Sequence, residues 1–555
     1  MHTPPILRQA YFLLAILFLS FNTSAQTAPT WQSARVMGSA RQGVTETAMD
    51  AAGNLYEVGH FSRPITFDGT TLTSVGDVDG YLAKYTAAGT LAWVRQLGSP
   101  GWDMGHGVAV DATGNVYVTG AFTGSIALGN NLSLEGGSNP SRKAYVIRYS
   151  PQGTPEWVQQ STSNVAPTTE GYSIGLDANG TVSVTGTLNY TFTIGSTTIT
   201  LTGTNQANNT GAYLARFSGS TGALLSLQPA FYYFTNTGSI AYSIPKVAVA
   251  PTGETYLLNT FYKSIVFGNT TLTTRGEADI VVAKYSAQGT FEWAQQFGGA
   301  SNDYMGDGKL DAAGNLYLVG DFTGPATFGT TTLPGYGTHD GFLLKCSAQG
   351  ALQWVQPSGG PGSDGFADVE VDAAGNPYVV GTFNGTAQLG PLSLRSAGSD
   401  DILVASYTPQ GQVRWVQSAG GPGADMGYTV ELDAGGNVYA TGAFASSCSF
   451  GSLTLTTTAA SEKFMARLGS DPLATRTNQA APASLYPNPA TTTVHIPSVS
   501  AGSQVQLLNM MGRITCTLQV ASDATIPLQG VLPGLYVLRA TDAQGRQVTG
   551  RLVVE

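Results

Sequence analysis

The chain has 555 residues, 42% of them hydrophobic and only 11% charged, with a formal net charge of −10. That length exceeds one ordinary core and implies several units; the apolar content excludes a disordered chain, and the lack of any Lys/Arg run excludes a nucleic-acid binder. Gly supplies 70 of the 555 residues, well above the usual ~7%, which suits many short strands and tight turns.

The N-terminus reads as a signal peptide. Arg8 is the positive flank, Ala10 to Phe21 the apolar stretch, and Thr23-Ser24-Ala25 a small-residue cleavage site. Residues 1–25 are expected to be removed between Ala25 and Gln26. The apolar run is too short for a membrane span, and no later stretch is long and apolar enough for one. Cys346, Cys448 and Cys516 are odd in number and unrelated in position, so no disulfide framework is expected.

A twelve-residue motif then organises the chain, in its cleanest form Asp311-Ala-Ala-Gly-Asn-Leu-Tyr-Leu-Val-Gly-Asp-Phe322. It returns at Asp50, Asp111, Asp372 and Asp433, and in worn form at Asp177 and Ala250. The seven first residues stand 61, 66, 73, 61, 61 and 61 positions apart. Apolar residues alternate on either side of a polar break, as in Val108, Val110, Val116 and Val118, which is the signature of a β-hairpin. Gly114 and its equivalents can take the positive φ of a tight turn. The Asp is expected to bond the turn's own amides.

Each unit carries four strands. Around Asp111 they are Gly107 to Val110, Asn115 to Phe122, Ala144 to Tyr149 and Pro155 to Gln159, the last led by Trp157. That Trp recurs as Trp31, Trp93, Trp293, Trp354 and Trp415, with Leu225 once in its place. Segments such as Ala326 to Leu333 add a small hairpin between the second and third strands. Four antiparallel strands at a fixed period, with an aromatic per unit, predict a β-propeller whose blades bury their faces on one another. The first element after the signal, Trp31 to Val36, is a lone fourth strand, and the last unit ends at its third strand, Phe464 to Leu468. The N-terminal strand is therefore expected to complete the last blade and close the ring. The predicted fold is all-β: a seven-bladed propeller over 26–468 closed by an N-terminal strand, then a small β-sandwich. The Asp-x-x-Gly-Asn-x-Tyr-x-x-Gly-x-Phe motif, Phe328-Gly329 to Leu333 and Ala283-Lys284-Tyr285 resemble the seven-bladed β-propeller repeat family of secreted bacterial proteins. The resemblance implies a fold and leaves the ligand open.

Residues 469–483 lose all alternation and read as a linker. The short strands that follow predict a sandwich over 484–555. This segment resembles the type A C-terminal sorting domain of the type IX secretion system. The resemblance rests on Leu485, Tyr486, Pro487, Asn488 and Pro489, on Leu508 to Arg513 with Gly512, on Leu532 to Tyr536 with Gly534 and Tyr536, and on the terminal run with Arg551. It implies passage through the periplasm, engagement of the type IX secretion machinery, export across the outer membrane and removal of the sorting domain at the surface. Cargo of that family is then released or attached to the surface.

Alternating strand direction puts the connections between units on one face, with those between second and third strands. Asp103, Asp303, Asp364 and Asp425 lie on the former, near Trp102 and Tyr304. Asp79, Asp279, Asp340 and Asp401 lie on the latter. These repeated acids either cap turns or form a carboxylate-rich face for a glycan, a cationic partner or calcium, which takes oxygen ligands. Histidines are few and scattered, and no nucleophile elbow or zinc motif occurs, so no catalytic residue is assigned and no obligatory cofactor is expected. The reading is a monomeric, secreted or cell-surface binding or scaffold protein for an extracellular protein or glycan. The alternative is an extracellular glycan-active or other hydrolytic enzyme using paired carboxylates on that face.

Overall fold

The computed structural model describes residues 28–39, 44–136, 141–162, 168–189, 191–201, 210–233, 244–470, 481–482, 485–497, 499–508, 514–541 and 547–555. The expected cleavage site Ala25/Gln26 and Gly512 lie outside the described residues. All regular elements among them are strands, and no helix is long and apolar enough to cross a membrane. Two compact units are present, Met1–Pro472 and Leu473–Glu555.

In the first unit, each copy of the motif forms the turn between the first two strands of an antiparallel four-strand set. Around Asp111 the set runs Met104–Val110, Val116–Phe122, Lys143–Tyr149 and Pro155–Thr162, paired in chain order. The first strand starts earlier than expected because its ladder continues past a bulge between Gly105 and Gly107 to the pair Met104–Ala121. The fourth runs longer because its end pairs with the next set's small hairpin, Ser161 opposite Ile194 and Thr162 opposite Thr193. Gly298 and Thr327 repeat that link. The small hairpins predicted from sequence thus tie neighbouring sets together.

The motif's chemistry is local. Asp111 Oδ1 accepts from the amides of Thr113 and Asn115 at 2.9 and 3.0 Å. Its Oδ2 accepts from Asn115 Nδ2 at 2.8 Å and the Tyr117 hydroxyl at 3.1 Å. Both oxygens are therefore spent on the turn, and Gly114 supplies the φ of 84° that the turn needs. The repeated Trp works between sets: the Trp157 indole donates to Gly219 O at 2.8 Å and the Trp354 indole to Pro409 O at 3.0 Å. The neighbouring turn must be glycine for the ring to lie so close. A Cβ on Gly222 would stand 2.7 Å from Trp157, and one on Gly411 2.8 Å from Trp354.

The two ends of this unit meet. Trp31–Ser39 pairs antiparallel with Glu462–Ser470, Trp31 opposite Leu468 and Val36 opposite Phe464. It is thereby the fourth strand beside Glu462–Ser470, Asn437–Phe444 and Met426–Leu432. Across the same seam, Lys463 Nζ lies 2.5 Å from Glu57 Oε1 and 2.9 Å from the Tyr81 hydroxyl. Tyr81 also donates to Glu57. Lys463 and Glu57 side chains are each only 2% exposed. Both residues break the repeat. The positions matching Glu57 hold Val118, Val184, Leu257, Leu318, Val379 and Ala440; those matching Lys463 hold Gly80, Ala144, Ala212, Ile280, Gly341 and Ile402.

The second unit has a five-stranded sheet, ordered Ala481–Pro482, Gln547–Val554, Gly534–Thr541, Gln504–Leu508, Ile514–Gln519, and a two-stranded sheet of Thr493–His495 with Thr525–Pro527. Val494, Ile496, Val505, Leu507, Ile526, Leu538 and Leu552 form its core. Ala481–Pro482 falls in the expected linker, yet it pairs parallel with Gln547–Val554. Asn488 pins the opening motif to the last strand, donating to Arg551 O at 2.6 Å and accepting from Val553 N at 2.9 Å. Tyr486 stacks on His495 at 4.8 Å, Leu485 packs against the core, and the Tyr536 hydroxyl donates to Leu532 O at 2.8 Å.

Candidate functional site

The structure brings the repeated acids together in pairs. The amide of Asp103 donates to Val78 O at 2.8 Å, next to Asp79; Asp364 N donates to His339 O at 2.9 Å, next to Asp340; Asp425 N donates to Asp400 O at 2.7 Å, next to Asp401. A parallel bridge between Ala278 and Asn302 sets Asp279 beside Asp303 in the same way. All eight are buried, none more than 4% exposed. Most accept from the amide four residues earlier: Asp79 from Val75 at 2.9 Å, Asp340 from Tyr336 at 2.6 Å, Asp303 from Gly299 at 2.6 Å, Asp364 from Gly360 at 2.8 Å. Backbone closes over them: a Cβ on Gly359 would stand 2.0 Å from Asp340 Oδ1, and one on Gly98 2.1 Å from Asp79 Oδ2. Among the described residues no three His, Cys, Asp or Glu side chains converge to hold a metal ion. The exposed part of this face is aromatic: Trp102 is 44% exposed and Tyr304 half-buried.

Burial raises Asp103, Asp303, Asp364, Asp401 and Asp425 above the usual carboxylate range. It pushes Asp303 up to about 7, with the neighbouring Asp279 adding to the effect, and it pushes Asp364 and Asp425 up to about 6. A carboxyl raised above its unfolded value of about 3.9 stabilises the fold in full only below that value, and the contribution is lost as pH rises through the folded pKa. Thermal stability contributed by these groups is expected to fall between about pH 4 and 7. Asp303→Asn should flatten that slope in melts taken across the range; an unchanged slope would remove the assignment.

The sequence reading missed a second cluster, on the first strands of the sets. Those strands touch one another in sequence, and Val44–Met49 touches Met426–Leu432. Four residues before each motif stand Glu46, Gly107, Ser173, Lys246, Asp307, Asp368 and Thr429; two before stand Ala48, Ala109, Gly175, Ala248, Lys309, Glu370 and Glu431. The alternation of a strand turns both positions to one side. Charge is thus confined to the first set and the last four, opposite small residues. A cavity of ≈ 180 Å³ opens among Glu46, Lys246, Asp307, Lys309, Asp368 and Glu431, with Tyr428 in its wall. A larger one of ≈ 350 Å³ lies at the seam, by Val36, Phe67 and Tyr85; it holds no comparable cluster of charge.

Within the smaller cavity the two cations are satisfied. Lys246 Nζ lies 2.6 Å from Asp307 Oδ2 and Lys309 Nζ 3.3 Å from Glu370 Oε2. Burial opposes the Lys246 charge, but Asp307, Glu46 and Asp368 outweigh it and hold the ammonium above its usual range. Thr47 Oγ1 lies 2.8 Å from Glu431 Oε1 and 2.9 Å from Thr429 Oγ1, joining the first and last sets. Asp368 accepts from the amides of Val369 and Val430, both at 2.8 Å. Burial pushes Glu46 and Glu431 up to about 8 and Asp368 up to about 7. The clue in the sequence was the charge at alternate positions of the first strands, which varies between copies while the motif itself repeats.

Residues 484–555 match the family of secretion system C-terminal sorting domains, and residues 92–121 match the beta-propeller repeat. An uncharacterised WD repeat-containing protein of Acanthamoeba polyphaga mimivirus is 23% identical over 400 residues, 61% of this chain and 28% of the relative. The chain thus spans little more than a quarter of that protein's length. Among solved structures, puromycin hydrolase is 12% identical with a TM-score of 0.41, covering 95% of this chain and 63% of the other. A putative gluconolactonase is also 12% identical, with a TM-score of 0.28, covering 66% of this chain and 90% of the other. The sorting domain implies export across the outer membrane to the cell surface or beyond. The chain thus carries a beta-propeller repeat and a secretion system C-terminal sorting domain.

Proposed function

We propose that the exported chain is a binding or scaffold module: a seven-bladed ring, closed by Trp31–Ser39, that meets an extracellular protein or glycan outside the outer membrane. Three observations support closure: the pairing of Trp31–Ser39 with Glu462–Ser470, the contact between the first and last inner strands, and the buried Lys463–Glu57 pair at the seam. The observation that carries the binding role is the cavity among the first strands, where charge departs from the repeat. The turn Asp and the inter-set Trp are copied from set to set, whereas the charges lining this cavity are not, which supports a ligand role for them. The acids of the loop face are buried, with Asp279, Asp303, Asp340, Asp401 and Asp425 each keeping one oxygen without a hydrogen-bond partner among the described residues, so a partner on that face first meets Trp102 and Tyr304.

The test is a glycan and protein array probed with the mature chain from Gln26. At least one saturable ligand is expected, weakened by Trp102→Ala or by Glu46→Gln. Retention of nothing, or turnover of an arrayed glycan without retention, would replace this reading with the hydrolytic one.

A further inference from the structure

We propose that the cavity bounded by Glu46, Asp368, Tyr428 and Glu431 is a binding site for a small protonated amine. The inference rests on the binding role above and names its ligand chemistry. Five carboxyls and two ammonium groups face one another here, a formal excess of three negative charges. Lys246 and Lys309 are already paired with Asp307 and Glu370, so the surplus lies on Glu46, Asp368 and Glu431. Among the described residues Glu46 has no hydrogen bond and no ion pair, although it lines the cavity. The first strands of the second and third sets carry Gly107, Ala109, Ser173 and Gly175 at the matching positions, which bring no charge.

An anion is a poor occupant, because both cations are spent. A primary ammonium fits: it has three donors for carboxylates on three strands, and the wall includes Tyr428, an aromatic of the kind that can face a cation. The volume of ≈ 180 Å³ falls below the roughly 300–1,000 Å³ of pockets for drug-sized ligands, which selects a short alkylamine. Without a cation the surplus carboxyls hold protons near neutral pH, since burial raises all three. An entering ammonium supplies the missing positive charge and releases protons to solvent, so binding weakens as pH falls and protons compete. Lys246, Asp307, Lys309 and Glu370 also face this site and set its baseline field.

The experiment is isothermal titration of the mature chain with 1,4-diaminobutane at pH 7, in phosphate and in MOPS, whose ionisation enthalpies differ. Saturable binding with net proton release is expected, at least tenfold weaker at pH 5 and at least tenfold weaker in Glu46→Gln. If that variant does not fold by circular dichroism, Tyr428→Leu takes its place, with the same loss expected. No saturable heat, equal affinity in the folded variant, or preference for acetate over the amine would overturn the proposal. A ligand retained on the array while the amine gives no heat would overturn this site's chemistry and leave the binding role standing.

Discussion

Lys463→Met is expected to destabilise the first unit by about 3–5 kcal/mol, the range for removing one partner of a buried ion pair. The substitution leaves Glu57, 2% exposed, facing only the Tyr81 hydroxyl. The loss should appear as an earlier onset of urea unfolding, followed by Trp fluorescence, because Trp31 belongs to the strand paired with Lys463's own strand. The double variant Glu57→Val with Lys463→Ile should recover most of the stability. It restores what the other six sets carry at those places, and a buried pair exchanged for apolar residues of similar size is often neutral or better. The charges are then a device for register: Glu57 and Lys463 find each other only if the last set packs on the first. A loss below about 1 kcal/mol for Lys463→Met would mean that the seam is open to water.

Removal of residues 485–555 should abolish appearance of the protein outside the cell and leave it in the periplasm, an all-or-none effect read by fractionation and immunoblot. Asn488→Ala should act in the same direction and more weakly. It loses the two bonds that hold the opening motif to the last strand, each a net ~0.5–1.5 kcal/mol, in a small sandwich with little core to spare. Unchanged surface display of the truncated chain would place the export signal elsewhere.

These two effects sit where the sequence was most legible. The period of the motif, its turn Asp and Gly and the Trp that six of the seven units carry each follow from local chemistry, and they return in the structure as turns, strands and inter-set contacts. The pairing of Trp31 with Leu468 was also readable, because a fourth strand stood at one end of the chain and was missing at the other. Boundaries were less so: Pro155–Thr162 runs long only because the next set's hairpin extends its ladder, a tertiary cause. Ile514–Gln519 went unread although Ile514, Cys516 and Leu518 alternate with Thr515, Thr517 and Gln519, and its residues are exposed or half-buried. At the candidate site, repetition led to the paired acids of the loops, and the fold adds a second cluster that repetition does not mark. Asp103, Asp303, Asp364 and Asp425 recur in four of the seven sets and accept from nearby backbone amides. The Glu46, Lys246, Asp368 and Glu431 positions differ from set to set, and only the fold brings them round one cavity.

Closure of the ring is tested most directly by a disulfide across the seam. Ala34 and Ala466 are opposite one another in the antiparallel pair formed by the first and last strands, the arrangement in which Cα atoms lie within the ~4.4–6.8 Å that a disulfide spans. With Ala34→Cys and Ala466→Cys, mild oxidation is expected to give an intramolecular crosslink in a monomer, seen as a mobility shift on non-reducing gels that reductant reverses. Crosslinked dimers, or two thiols that stay free while the protein remains folded, would contradict a ring that closes on itself.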